Sequence, residues 1–214
     1  MNINTKSYWD TRFRCGDWES RGGRRQTRFF ARALARHADI PRDYSGVLLD
    51  FGCGLGDAIP VYHRWFPGAK LIGMDVSEEA IAKCRERYGQ LAEFYAGDNE
   101  KVPKVGIIVA SNVFEHFSGD EIIARQLLTR CRDLFILVPY RETLAAGTEH
   151  VNSYDESSFE SFDVKQRRVF GCPDGGWARW VDIHLKNVLR PLFRRPRAHR
   201  MEQILFHLVN SAAR

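Results

Sequence analysis

Three glycines alternate at Gly52, Gly54 and Gly56, directly after the apolar run Val47–Phe51, in VLLDFGCGLG. Glycine reaches positive φ without steric penalty and lets a ligand approach the backbone closely. A helix that starts just beyond such a loop offers free N–H groups to that ligand. The spacing is GxGxG rather than the GxGxxG of a pyrophosphate loop, but taken alone it does not exclude a dinucleotide.

Polar residues then recur at the ends of successive apolar runs. Asp50 sits just ahead of the glycines, Asp75 ends KLIGMD, Asp98 and Asn99 follow a third run, and Asn112 follows a fourth. A carboxylate at Asp75 suits a ribose diol, since each hydroxyl can donate to one oxygen. Asp98 suits an exocyclic amine such as that of adenine. Either acid taken singly reads equally as a turn or cap residue; together along one edge they point to a ligand.

The elements that must position these residues alternate between strand and helix. Residues 24–38 read as an amphipathic helix, with Phe29, Phe30, Ala33, Leu34 and His37 on one side. Strands are expected at Val47–Phe51, Lys70–Asp75, Ala92–Ala96, Gly106–Ser111 and Asp133–Val138. Helices are expected at Asp57–Trp65, from an N-cap at Ser77 to about Tyr88, and at Asp120–Cys131. Asp155–Phe162 reads as a short helix. Val164–Phe170 and Trp177–Leu185 read as a β-hairpin around CPDGG, and Arg200–Val209 as a final amphipathic helix. The alternation implies right-handed βαβ units and a doubly wound α/β sheet, whose ligands sit outside the carboxyl ends of the strands.

The runs LLDFGCGLGDAIP, LIGMDVSEEAI, GDNEKVP, VASNVFEHF and LFILVPY resemble, in order and spacing, the class I S-adenosylmethionine-dependent methyltransferases. The resemblance covers roughly residues 47–185. It implies a Rossmann-like seven-stranded sheet, mostly parallel with one antiparallel strand. It also implies that Gly52, Gly54 and Gly56 pack against the methionine part of S-adenosyl-L-methionine. Asp75 would take the ribose hydroxyls, Asp98 the adenine amine with Asn99 beside it, and Asn112 would lie near the methionine end. Residues 1–43 look like the helical cap of these enzymes, with Tyr8, Trp9 and Trp18 covering the site or anchoring the cap. Residues 44–185 would form the methyltransferase domain and 186–214 a basic helical tail.

Methyl transfer from a sulfonium is an in-line displacement in which much of the rate comes from alignment. A hydroxyl acceptor also benefits from a base. Glu115 and His116 after the fourth strand, and His150 after the fifth, should overhang one site and are the catalytic candidates. Asn112, Glu115, His116 and His150 also resemble the ExxEH-plus-His metal site of some small-RNA and quinone O-methyltransferases. Here Asn112 replaces the first glutamate, which removes charge that favours a hard divalent ion, so no metal is expected.

Composition limits the partners. The chain has 214 residues, 44% hydrophobic and 28% charged, with a net charge of +5. It shows neither a membrane-length apolar run nor a signal-like N-terminus, which reads as cytoplasmic. Cys15, Cys53, Cys84, Cys131 and Cys172 form no CxxC pair, which argues against a disulfide framework or a zinc site. One arginine cluster spans residues 21–36. A second basic stretch, 184–200, alternates charges with Leu185, Val188, Leu189, Leu192 and Phe193, and could meet an anionic membrane surface. That stretch loosely resembles tails of methyltransferases found among surface-polysaccharide enzymes. The favoured reading is methylation of a hydroxyl on a small molecule or glycan. RNA or protein methylation ranks lower because no single-strand binding platform is visible, and DNA is not an expected partner. A non-catalytic binding protein would be expected to show damaged cofactor positions, and these are intact.

Overall fold

The computed structural model describes residues 2–172 and 201–210. Six α-helices and seven strands follow in the order α1 (Lys6–Arg14), α2 (Asp17–Ser20), α3 (Gly23–His37), β1 (Val47–Phe51), α4 (Ile59–Trp65), β2 (Lys70–Asp75), α5 (Glu78–Tyr88), β3 (Glu93–Ala96), β4 (Ile107–Ser111), α6 (Asp120–Leu128), β5 (Asp133–Pro139), β6 (Val164–Cys172) and β7 (Met201–Val209). The strands form one sheet in the order β3-β2-β1-β4-β5-β7-β6. β1 to β5 pair in parallel, and β7 runs antiparallel to both β5 and β6.

The sheet is buried on both faces because helices cover each side. Successive strand residues point to opposite faces, so Leu48 joins the cluster with Leu34, Ile59 and Tyr62, while Leu49 joins the one with Phe114, Ala124 and Leu127. Strands covered on both faces are continuously apolar, as β5 is along its whole length apart from its partly polar first residue. Ser77 caps α5 as anticipated, accepting from the Ala80 amide at 3.1 Å.

Two expectations are corrected. Residues 201–209 are a strand, not a helix, and this strand supplies the antiparallel member of the sheet. Ile204, Leu205, Phe206 and Leu208 are all fully buried between β5 and β6. A short apolar run such as ILFHLV does not reveal by periodicity whether it is a helix or a buried strand. Burial decides it: each such side chain removed from water contributes about 1.5–3 kcal/mol. The sheet thus runs past the anticipated boundary at 185. Residues 155–162 form successive turns instead of a helix. Phe159 there has φ 63°, which a right-handed helix cannot contain. The strand anticipated at 177–185 and the basic stretch 184–200 lie outside the described residues.

The N-terminal helices dock at the carboxyl end of the sheet. Phe13 of α1 packs with Leu55 of the glycine loop and Ala80 of α5. Asp10 accepts from the Ser77 hydroxyl at 2.6 Å. The cap is therefore tied to the segment that follows Asp75.

Candidate active site

A cavity of about 430 Å³ opens where β1, β2, β4 and β5 end beneath α1 to α3. Asp50, Gly52, Gly54, Asp75, Asp98, Asn99, Asn112, Glu115, His116 and His150 all line it. Gly56 does not. A Cβ there would meet Cys84 Sγ at 3.0 Å and Tyr88 at 3.1 Å, so Gly56 serves the approach of α5 to the loop.

The glycine loop is built for close contact. Gly54 has φ 52°, and the nearest atom to a Cβ placed on it is Phe13 at 3.6 Å. The residue is therefore chosen for its backbone and leaves room on the cavity side. Its amide donates to Asp75 Oδ2 at 2.8 Å, and the Ser77 amide donates to Asp75 Oδ1 at 2.9 Å. Asp75 is thus held rigidly at the end of β2, with lone pairs on both oxygens still able to accept. Burial raises its carboxyl above the usual range. Asp50 is 3% exposed, its Oδ2 has no hydrogen-bond partner, and burial pushes it up to about 8, with the charge of Asp75 adding to the effect.

Farther along the same edge, Asp98 Oδ1 caps a short 3-10 turn by accepting from the Glu100 amide at 3.2 Å. The Asn99 side-chain Nδ2 donates to Gln126 Oε1 of α6. Asn112 adopts φ 55°, in the left-handed region that asparagine tolerates better than most residues. Unpartnered buried carboxyl oxygens, an open glycine and paired acids at β2 and β3 fit an adenosine-containing ligand with a polar tail. The sheet order places Asp98 and His150 on opposite sides of β1, so one ligand would span between them.

On the β4–β5 side, Glu115 and His116 sit in a 3-10 turn, Phe114–His116. The Val151 amide donates to the Glu115 carbonyl at 2.7 Å, and Asn152 Nδ2 donates to the carbonyls of Phe114 and Phe117 at 3.2 and 2.7 Å. These bonds bring His150 beside His116, with ring centroids 5.0 Å apart. Glu115 is 1% exposed, both its oxygens lack partners, and burial pushes it up to about 8. It therefore holds its proton at neutral pH. Burial also lowers His116 to about 4, which keeps its imidazole neutral. His116 Nδ1 faces the Glu149 carbonyl at 3.1 Å, and His150 Nδ1 faces Glu142 at 2.5 Å. The Nε2 of His116 is thereby left free to accept a proton. The trio's ligand atoms lie within 4.8 Å of one another, close enough to hold a small cation.

Residues from the cap complete the site: Trp9 and Trp18 line the cavity, while the parts of Asn4 and Arg12 were not anticipated. Glu149 accepts from Tyr8 and Arg12 of α1. Asn4 Nδ2 donates to the carbonyls of His116 and Glu149 at 3.1 and 2.6 Å. Arg12 also binds Asp17 at 2.9 Å and lies over the rings of Trp9 and Trp18. Nothing in the spacing of these residues signals the contacts, which join positions about 110–145 apart in sequence.

Residues 48–134 match a family model described as a methyltransferase domain. The match spans β1 to the start of β5 and, with the fold, supports a class I S-adenosylmethionine-dependent methyltransferase. Two similar curated proteins are trans-aconitate 2-methyltransferases. That of Afipia carboxidovorans is 34% identical over 80 residues, covering 36% of this chain and 31% of the relative. That of Variovorax paradoxus is 38% identical over 61 residues, covering 28% and 23%. The chain thus matches about a third or less of the length of these relatives.

Solved methyltransferase structures share the fold across nearly the whole length. The complex between the Haloferax volcanii Trm112 methyltransferase activator and a methyltransferase aligns at TM-score 0.67 and 14% identity, covering 94% of this chain and 96% of the other. The plantazolicin methyltransferase BpumL in complex with SAH aligns at 0.59 and 16%, covering 97% and 96%. In this methyltransferase fold the seven-stranded sheet with antiparallel β7 agrees with the architecture anticipated from the motifs.

Proposed function

We propose that this class I methyltransferase transfers a methyl group from S-adenosyl-L-methionine to a hydroxyl of a small molecule or glycan. The observation that carries the reading is the single cavity shared by Gly54, Asp75 and Asp98 with Glu115, His116 and His150. S-adenosyl-L-methionine supplies an electrophilic methyl on a positive sulfur. Asp75 would hold the ribose hydroxyls, Asp98 with Asn99 the adenine, and Gly52, Gly54 and Asn112 the methionine end.

The neutral imidazole of His116, with His150 beside it, would accept the acceptor's proton as its oxygen bonds to carbon and the carbon–sulfur pair returns to sulfur. Protonated Glu115 would donate a hydrogen bond that orients the acceptor. The trans-aconitate relatives lend support to a small molecule as the acceptor.

No helix among the described residues is long and apolar enough to cross a membrane. The proposed peripheral association through 184–200 rests on its sequence, and retention on anionic liposomes at low salt tests it. Calorimetry with S-adenosyl-L-methionine followed by a labelled-methyl screen of sugars, lipid-linked glycans, phenols and organic acids tests the main reading. Binding with label on a hydroxyl is the result anticipated. No binding, or label on amines alone, overturns it.

A further inference from the structure

A second concavity, of about 550 Å³, lies between α3, α4 and the loop that joins α3 to β1. None of its lining residues touches the first cavity, since Gln26, Thr27 and Phe30 face the first while Arg28 and Arg32 face the second. Four arginines line it, Arg28, Arg32, Arg42 and Arg64, beside Pro60, Val61 and Trp65, and no carboxylate does.

The charges of Arg32, Arg42 and Arg64 have no acidic partner among the described residues, whereas Arg28 donates to the Tyr88 hydroxyl at 3.3 Å and lies 3.9 Å from Asp57. Asp57 is buried and already binds Arg24 at 3.1 Å. Like charges crowded together repel one another and favour an anion that neutralises them. Arg42 is held in place because its guanidinium lies 4.8 Å over the Trp65 ring. Arg28 and Arg32 are spaced i,i+4 and so share one face of α3, and Arg64 sits in the last turn of α4. Arg42 is thus arranged before any ligand arrives, which reduces the entropy lost on binding, while Arg32 and Arg64 are exposed.

Guanidinium forks match phosphate oxygens in pairs. The volume suits a whole small molecule, since ligand pockets run to about 300–1,000 Å³. A local concavity bounded by α3, α4 and one loop differs from the extended track that a nucleic-acid backbone needs. We propose that this concavity binds a phosphorylated small molecule, with its phosphate against Arg32, Arg42 and Arg64.

Inorganic pyrophosphate is the probe, titrated into the full chain by calorimetry at low salt. Saturable one-site binding is expected. The double variant Arg32→Gln/Arg64→Gln should weaken it at least about 10-fold, through loss of charge-assisted hydrogen bonds. Arg130→Gln, an exposed arginine elsewhere, should leave it unchanged. Affinity for S-adenosyl-L-methionine, measured on the same samples, shows that the double variant is folded. The proposal is overturned by absence of saturation up to about 10 mM, the weak end of specific affinity. Equal binding by the double variant also overturns it, as does binding of single-stranded RNA without binding of pyrophosphate.

Discussion

His116 turns Nδ1 to the carbonyl of Glu149 at 3.1 Å, so its Nε2 carries the free lone pair. Two loops that follow different strands thereby set the tautomer of one imidazole. His116→Ala should lower kcat by about 10² or more, the usual contribution of a general base. Affinity for S-adenosyl-L-methionine should stay unchanged. Because burial holds His116 near 4, this group stays neutral at every pH above about 5. The acid limb of kcat/KM should therefore fall below that pH. A limb near the ordinary histidine value of about 6.5 would mean that another group is the base.

Asp75 is expected to dominate the hold on the cofactor. Two charge-assisted hydrogen bonds to ribose are worth about 1.5–3 kcal/mol each, so Asp75→Ala should raise the Kd by about 10² or more. Calorimetry measures this directly. An unchanged Kd would remove Asp75 from the site.

Asp50 and Glu115 should make the ligand-free protein less stable as pH rises. Each has a folded-state pKa of about 8, above its unfolded value. The folded state binds more protons between those values, so stability is full below the unfolded pKa and is lost as pH climbs through about 8. Thermal melts between pH 5 and 8 should show Tm falling, and Glu115→Gln should flatten the fall. A Tm that rises over this range contradicts the burial of both groups as acids.

Glu149 ties α1 to the loop that carries His150, through Tyr8 and Arg12. Glu149→Gln should loosen α1, seen as faster amide exchange in residues 6–14 with exchange in β4 and β5 unaltered. KM for the acceptor should rise more than Kd for the cofactor. Uniform loss of protection across the sheet would show a general folding defect instead.

Glu115, His116 and His150 come close enough to hold a cation. Asn112 stands where a second carboxylate would add charge, and Glu115 keeps its proton at neutral pH. EDTA should therefore leave turnover unchanged. Inactivation by EDTA, with recovery on one divalent metal, would reassign the trio from proton transfer to ligation.

Much of the site was legible in the chain itself because its signals are local. Each strand end is marked by its own few residues, the glycine loop after β1 and the acids at the ends of the next two strands, so Gly52, Gly54, Asp75 and Asp98 declared their places although Gly54 and Asp75 stand 21 residues apart. The alternation of strand and helix set the order of β1 to β5 for the same reason. Three matters were decided by distant contacts. Residues 201–209 became a strand because β5 and β6 pair with both of its edges and a packed cluster covers each face. Gly56 left the cavity because α5 packs on its far side. The cap residues Asn4, Tyr8 and Arg12 joined the site because the loop after β5 folds back beneath α1. A local pattern can dictate a turn or a period, but the partner across a gap of more than 100 residues exists only once the chain has closed on itself.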